Sequence, residues 1–466
     1  MSNRNETPQI LRYTDQKIAE QLLSFIAKSP TCFQAVDSIR ERLEENGFSA
    51  LWEHEEWNLL PGGKYYVIRN QSSVLAFCIP EEPTQGASYR MIATHDDSPC
   101  FKLKDDYETS MPGYYLSLNV EKYGGMICSS WMDRPLSIAG RVVVEEEGGI
   151  ASRNVCFDRD MALIPNVAIH MNRNANDGVS YNPQVDMIPL YGSEGAAGKL
   201  KAQLADTVGV AEEKILSSDL YLYARTPGTV WGAENEFLSS PRLDDLMCVW
   251  GAMEGFLATS QTPTAVPVLA VFDNEEVGSH TRQGAASSFL EDTLTRVDDA
   301  LCRMTGEKPG KETFCRHLSS SFLLSADNAH AVHPNHPEYA DAKNRPRMNG
   351  GIVIKFHAGQ SYATDAVSAA IFRKVCEDAN VPVQVFANRS DMRGGSTLGN
   401  IAITRVPLMT VDIGLAQLAM HSAYETAGVR DIRYLIQAAS AFYETTIQAG
   451  PEGNYRVRRE LQQSKE

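Results

Sequence analysis

The sequence has no apolar run approaching the roughly 20 residues that a membrane-crossing helix needs, so a helical membrane protein is excluded. Its nine cysteines are scattered, odd in number and without a Cys-x-x-Cys pair. Neither a disulfide framework nor a thiolate zinc site is indicated by them, and reduced thiols are expected. Basic residues are sparse, with 43 Lys and Arg against 59 Asp and Glu and a net charge of −16. Nucleic-acid binding needs clustered Lys and Arg, so that class is excluded as well. Internal repeats and low-complexity tracts are missing, and residues 1–6 are polar, without the apolar core of a secretion signal. A cytoplasmic protein without a nucleic-acid or membrane partner is the expectation.

What is present fits a folded chain of 466 residues, long enough for two domains. Thr14 or Asp15 starts a helix with Ile18, Leu22, Phe25 and Ile26 at helical spacing, and Val36, Ile39 and Leu43 mark a second one ending at Gly47. Residues 64–68 and 74–79 read as a hairpin, and 90–94 as a strand running into His95-Asp96-Asp97-Ser98-Pro99. From about 100 to 225 the texture changes to strand-like alternation, as in Leu136, Ile138, Val142 and Val144. This predicts a β-rich insertion, 100–227, in a domain made of 1–99 and 228–466. Strands and helices then alternate: a helix after Asp244-Asp245, a strand over 266–272, a helix over about 283–301 and a strand over 322–326. A strand over 351–356, a helix capped by Thr364, strands over 383–387 and 407–413, and a helix with Ile432, Leu435, Ile436 and Phe442 complete the order. The segment from Gly450 onward is charged and predicted to fray.

Three of the apolar strands end in metal-competent residues: His95, Glu275-Glu276 and Asp327. Loops at Asp244 and His421 offer two more. In open α/β sheets the ligand site lies beyond the carboxyl ends of parallel strands, where residues distant in sequence can converge. Carboxylates and imidazoles without thiolate suit a catalytic zinc, manganese or cobalt site. The set divides evenly: His95 and Asp327 for one ion, Glu276 and His421 for a second, and Asp244 as the bridge. A water shared by two such ions would be the nucleophile, and Glu275, left over, its general base. Asp97, two residues from His95, is placed to hold the imidazole tautomer. His170, beyond the apolar stretch 164–169, reads by itself as a structural histidine.

These segments resemble the M18 family of metalloaminopeptidases, typified by aspartyl aminopeptidase. The resemblance rests on His95-Asp96-Asp97-Ser98-Pro99-Cys100, Ser240-Pro241-Arg242-Leu243-Asp244, Asp273-Asn274-Glu275-Glu276-Val277-Gly278-Ser279 and Ser325-Ala326-Asp327. His330-Ala331-Val332-His333-Pro334-Asn335 and Met420-His421-Ser422 extend it, as do Tyr123-Gly124-Gly125 and Val167-Ala168-Ile169-His170, in the family's order over nearly the whole chain. It implies an α/β fold: a zinc-peptidase-like catalytic domain with a central mixed sheet flanked by helices, interrupted by a β-rich dimerisation domain. It implies dimers assembling into a tetrahedral dodecamer, two zinc ions on the ligands above, and hydrolysis of N-terminal residues from peptides. It also implies that His170 reaches a neighbouring subunit's active site, and that Lys355 and Tyr362 line the substrate pocket.

Departures from the family pattern cluster near that pocket. Asp96 stands where Thr is usual, Asp245 replaces Asn, and Tyr424 replaces Arg. Lys355-Phe356-His357 and Gln360-Ser361-Tyr362 differ from Lys-Val-Asn and Gln-Arg-Tyr. A lysine at 355 favours substrates with N-terminal Asp or Glu. Alternatives are a neutral-residue aminopeptidase, another dinuclear deacylase or carboxypeptidase, and a silent oligomeric scaffold.

Overall fold

Two amphipathic helices, α1 (Asp15–Lys28) and α2 (Cys32–Glu45), open the chain. Lys17 N–H donates to Thr14 Oγ1 at 3.2 Å, closing the first turn of α1. Strands β1 (Ser49–Leu51), β2 (Lys64–Arg69), β3 (Ser73–Cys78) and β4 (Ser88–His95) follow. The computed structural model describes residues 8–111, 113–259 and 265–459. The polar hexapeptide 1–6 and the last part of the charged tail lie outside the described residues.

A separate group of strands comes next: β5 (Cys100–Met111), β6 (Tyr115–Tyr123), β7 (Leu136–Glu146), β8 (Gly149–Cys156), β9 (Leu190–Ser193) and β10 (Ile215–Ala224). Between them lie α3 (Pro183–Asp186) and α4 (Lys199–Val208). They form a six-stranded antiparallel sheet, order β8-β7-β10-β5-β6-β9. Inward residues such as Phe101, Leu118, Val120, Ile138 and Val142 alternate along the strands and form a core of their own. The Gln34 amide of α2 donates to Gly140 O at 2.9 Å and Val155 O at 3.1 Å, fastening this sheet to the rest.

The remaining elements are β11 (Thr229–Trp231), β12 (Phe237–Ser240), α5 (Leu243–Leu257), β13 (Ala265–Phe272), α6 (Phe289–Thr305), α7 (Lys311–Ser319), β14 (Phe322–Ala326) and β15 (Ala329–His330). Then come β16 (Ile352–Phe356), α8 (Ala366–Asp378), β17 (Val383–Ala387), α9 (Leu398–Ala402), β18 (Met409–Gly414), β19 (Ala416–Leu418), β20 (Glu425–Gly428), α10 (Val429–Tyr443), β21 (Thr445–Ala449) and β22 (Tyr455–Arg459). A nine-stranded sheet runs β1-β2-β3-β13-β4-β14-β18-β16-β17. Its middle four strands, β13, β4, β14 and β18, are parallel. The neighbours β3 and β16 are antiparallel to them, so the sheet is mixed. Ile92, Leu269 and Leu324 face the core under α1, α2, α5, α8 and α10. Met91, Ala270 and Leu323 face the opposite core under α6, α7 and α9. Both faces are covered, which explains the unbroken apolar runs of the central strands. A smaller sheet, β11-β12-β20-β19-β15, lies beside it.

Three expectations need correction. Asp365, not Thr364, caps α8: Ser368 N–H donates to Asp365 Oδ1 at 2.7 Å, and Thr364 Oγ1 instead receives Asp412 N–H at 2.8 Å. The α6 helix starts at Phe289 rather than 283, because a turn through Ser279 to Ser288 precedes it. The tail after Gly450 is ordered as far as Arg459, where β22 pairs with β21. Its anchor is the fully buried Arg90, whose guanidinium donates to Thr445 O at 2.8 Å and Ile447 O at 3.2 Å. Among the described residues no helix is long and apolar enough to cross a membrane.

Candidate metal centre

Strand register brings the chemistry together. In the parallel pair β13 and β4, Phe272 lies opposite His95, so both chains leave the sheet at one level. After Phe272 the chain turns through Asn274, at φ 64°, into a short turn carrying Glu275 and Glu276 that Gly278 closes at φ 99°. Strand β14 ends one residue before Asp327, and β18 continues through β19 into the loop of His421. Asp244 sits in the first turn of α5 with extended rather than helical torsions, φ −84° and ψ 108°.

The resulting geometry has two halves that meet on one carboxylate. His95 Nε2 is 3.7 Å from Asp244 Oδ1 and 4.0 Å from Asp327 Oδ1. His421 Nε2 is 3.4 Å from Asp244 Oδ2 and 3.3 Å from Glu276 Oε1. Ligand atoms at 2.0–2.2 Å from a tetrahedral zinc stand roughly 3.3–3.6 Å apart, so the His421 pairs have the spacing of a metal shell and the His95 pairs are somewhat wider. Asp244 Oδ1 and Glu276 Oε1 are buried without a hydrogen-bond partner among the described residues, a costly state that a cation would relieve. Glu275 lies within the same cluster, near His95 and Glu276.

Electrostatics agree with that demand. Burial raises the Glu275 carboxyl to about 8; His95 opposes the rise, while Asp327, Asp97 and Asp244 add to it. Burial and Asp244 push Glu276 up in the same way. Burial would lower His421, yet its contacts with Asp244 and Glu276 lift it to about 10. The pocket holds more carboxylate than its own imidazoles can balance, a charge that divalent cations would offset.

A surrounding layer orients these groups. His95 Nδ1 is 3.1 Å from the Asp97 main-chain O and 3.4 Å from Asp97 Oδ1. His95 Nδ1 therefore faces both the carbonyl of Asp97 and the carboxylate to which the sequence pointed. That carboxylate receives Glu275 N–H at 3.0 Å, Glu276 N–H at 3.1 Å and Tyr123 O–H at 2.6 Å. Glu425 accepts from Asp244 N–H at 3.0 Å and His421 N–H at 2.7 Å, while Gly125 O takes His421 Nδ1 at 2.9 Å. Gly124 is required here: at φ 73°, an added Cβ would lie 3.2 Å from Glu276 Cβ.

The cluster opens into a cavity of about 340 Å³ whose wall includes His330, Lys355, Tyr362, Phe386, Ile401 and Met420. Lys355 is buried, donates to Asp327 O at 2.8 Å and Asn328 O at 3.3 Å, and lies over the Tyr362 ring at 5.3 Å. His95, Asp244, Glu275, Glu276, Asp327, His421, Lys355 and Tyr362 are thus brought together. Asp97 stands directly behind them. His170 does not join: it lies exposed on a turn of the inserted segment. Glu425 and Phe386 were not singled out from sequence, since a lone residue of these types carries no periodic or motif signal, and His330 and Met420 entered only as members of motifs, without a role of their own.

Similarity to known proteins agrees with this geometry. The sequence model of the family described as Aminopeptidase I zinc metalloprotease (M18) matches residues 25–443. A probable M18 family aminopeptidase 2 of Clostridium novyi is 45% identical over 434 residues, covering 92% of this chain and 98% of the relative. Its namesake in Pseudomonas aeruginosa is 39% identical over 436 residues, covering 92% and 99%. Among solved structures, a chain of the Ape4 and Nbr1 complex superposes with TM-score 0.88 at 35% identity, covering 94% of this chain and 87% of that one. The mApe1 dodecamer of S. cerevisiae gives TM-score 0.79 at 27% identity, covering 92% and 96%. The chain belongs to the M18 family of zinc metalloproteases and is a metalloaminopeptidase.

Proposed function

We propose that this enzyme removes N-terminal residues from peptides at a two-ion centre, with His95 and Asp327 holding one ion, His421 and Glu276 the other, and Asp244 between them. The observation that carries it is Asp244, whose two oxygens each face a different imidazole, at 3.7 and 3.4 Å. Two divalent ions, zinc by family with cobalt or manganese as substitutes, would supply Lewis acidity and an activated water when bound. Glu275 takes the proton from water and returns it to the nitrogen of the leaving amine. Asp97 keeps Glu275 and Glu276 in place by accepting both of their backbone N–H groups. His170 of a neighbouring subunit would help to hold the carbonyl oxygen of the scissile bond.

The assembly reading is a homo-oligomer, dimers forming a tetrahedral dodecamer. It is supported by the solved mApe1 dodecamer and by Val167, Ile169 and Met171, apolar side chains that flank His170 and are exposed. The division into a catalytic domain, 1–99 and 228–466, and an inserted dimerisation domain, 100–227, is supported by their separate sheets and cores. Nine thiols, none in a disulfide, suit the cytoplasm.

For the substrate we propose a preference for N-terminal Asp or Glu, resting on the positive charge of Lys355 in the cavity wall. A second reading has a specific observation behind it. Lys355 already spends donors on Asp327 O and Asn328 O, and Phe386, Ile401 and Met420 give the same wall apolar surface. That arrangement suits a neutral side chain. Purified enzyme supplied with zinc, cobalt or manganese is to be assayed on Asp-, Glu- and Leu-linked chromogenic amides, free and N-acetylated. Turnover of free amides alone is expected. Failure of the whole panel overturns the reading, cleavage of the acetylated forms points to a deacylase, and a Leu preference unaffected by Lys355→Ala removes only the acidic choice.

A further inference from the structure

Behind His95 lies a second group of acids: Asp97, which supports Glu275 and Glu276, and two that the reaction does not use, Asp96 and Asp273. One carboxylate oxygen from each of Asp96, Asp97 and Asp273 lies within 4.8 Å of the other two. All three side chains are buried, Asp96 at 2% exposure. Neither oxygen of Asp96 has a hydrogen-bond partner among the described residues. Its backbone is pinned, with Asp96 N–H donating to Phe272 O at 3.0 Å, while its carboxylate remains unsatisfied. Asp273 accepts from Asn274 N–H at 2.7 Å and Asn274 Nδ2 at 3.1 Å on Oδ1 and from Gln283 Nε2 at 3.4 Å on Oδ2. Asp97 accepts from Glu275 N–H, Glu276 N–H and Tyr123 O–H, so of the three Asp96 alone is left without a donor among the described residues. Among the described residues no Lys or Arg pairs with any of the three. Arg242, on the wall of the adjoining cavity, spends donors on Ser29 O and Ile26 O.

We propose that Asp96, Asp97 and Asp273 hold a third cation, a hard divalent ion bound by oxygen alone. A buried carboxylate with no donor, as at Asp96, is expensive, and two further carboxylates close to it make it more so. Oxygen-only ligands select calcium, magnesium or manganese rather than the metals that imidazole favours. Any two oxygens at 2.3–2.6 Å from one calcium ion are at most roughly 4.6–5.2 Å apart, and the three carboxylate oxygens, within 4.8 Å of one another, meet that bound. The adjoining cavity, about 40 Å³ and lined by Asp96, Asp97 and Tyr123, has room for the waters that complete such a shell. The ion would fix Asp97, and through it the backbone of Glu275 and Glu276 and the ring of His95. It is a positioning site, not a catalytic one.

The test uses the zinc-loaded enzyme and Ca²⁺ alone as probe, in equilibrium dialysis with zinc counted separately. Wild type is expected to take up about one Ca²⁺ per chain and to melt at higher temperature with it. Asp96→Asn, and Asp96→Thr as a second variant, are expected to keep their zinc and to weaken Ca²⁺ binding by more than the roughly 10–100-fold that losing an outer partner costs a metal site. Three results overturn the proposal: no Ca²⁺, Mg²⁺ or Mn²⁺ beyond the zinc in wild type; equal uptake in both variants; or an infrared band of a protonated carboxylic acid that Asp96→Asn removes, which would make the buried charge a shared proton.

Discussion

Glu275 and Glu276 have the same side chain and adjacent positions, and sequence cannot divide their work. Glu276 Oε1 points at His421 Nε2, 3.3 Å away, whereas Glu275 stands in the cluster without so close an imidazole. On the proposed mechanism Glu275→Gln keeps its metal and loses about 10²–10⁴ in kcat, the usual range for a general base. Glu276→Gln loses metal instead, and elemental analysis alongside kcat separates the two. Equal metal loss in both would undo the division. Asp97→Asn removes an acceptor shared by two backbone N–H groups and Tyr123, and should weaken metal affinity about 10–100-fold. The single residues His95, Glu275, Asp327 and His421 were legible because they end strands or interrupt loops with metal-competent chemistry. Glu425 was not, because a buried acceptor for two N–H groups looks in sequence like any other glutamate.

Among the elements, α6 and α7 are joined by a buried ion pair, His317 Nδ1 to Asp298 Oδ1 at 2.7 Å, with Tyr89 O–H donating to the same oxygen at 3.0 Å. Burial would depress His317, but the bond to Asp298 and the charges of Asp298 and Glu307 hold it above the ordinary histidine value. With the folded value raised, this pair's stabilisation is complete below about pH 6.5 and is lost as pH climbs through the folded value. Urea unfolding should therefore show an alkaline decline that His317→Gln flattens, at a cost of about 3–5 kcal/mol at pH 6. Unfolding with an unchanged pH slope would rule the pair out as its source. The β21–β22 hairpin rests on Arg90 in a similar way. Arg90→Met strands the carbonyls of Thr445 and Ile447 and should cost about 1–3 kcal/mol for each, read as a fall in the urea midpoint. Periodicity found the helices and central strands because their burial is regular. It missed this hairpin because a charged segment looks disordered until a buried partner on a distant strand is known.

At the scale of the whole molecule, the apolar flank of His170 has meaning only if another subunit covers it. Val167, Ile169 and Met171 are at least half exposed, Met171 at 83%. If His170 completes a neighbour's site, His170→Ala should lose turnover with its metal content intact. Mixing it with Glu275→Gln should then restore activity, since some sites in the mixed oligomer would draw Glu275 from one subunit and His170 from another. No recovery on mixing, measured after dissociation and reassembly, would confine His170 to a structural role in its own loop. Metal removal by a chelator should abolish turnover and be reversed by zinc.

By itself the sequence determined the residue types of the site, the apolar periodicity of the helices on one face of the sheet, and the change of texture near residue 100, because each is a local property of the chain. The α7 helix on the other face was not foreseen. The tertiary structure alone decided that Asp244 turns one oxygen toward His95 and the other toward His421, residues 326 positions apart in the chain (421 − 95). That outcome depends on four parallel strands sharing one register and on extended torsions at the start of α5, and neither is encoded in any window short enough to read. The same holds for Asp96: sequence supplies a carboxylate beside His95, and only packing leaves it buried, with two more carboxylates close by and no donor among the described residues.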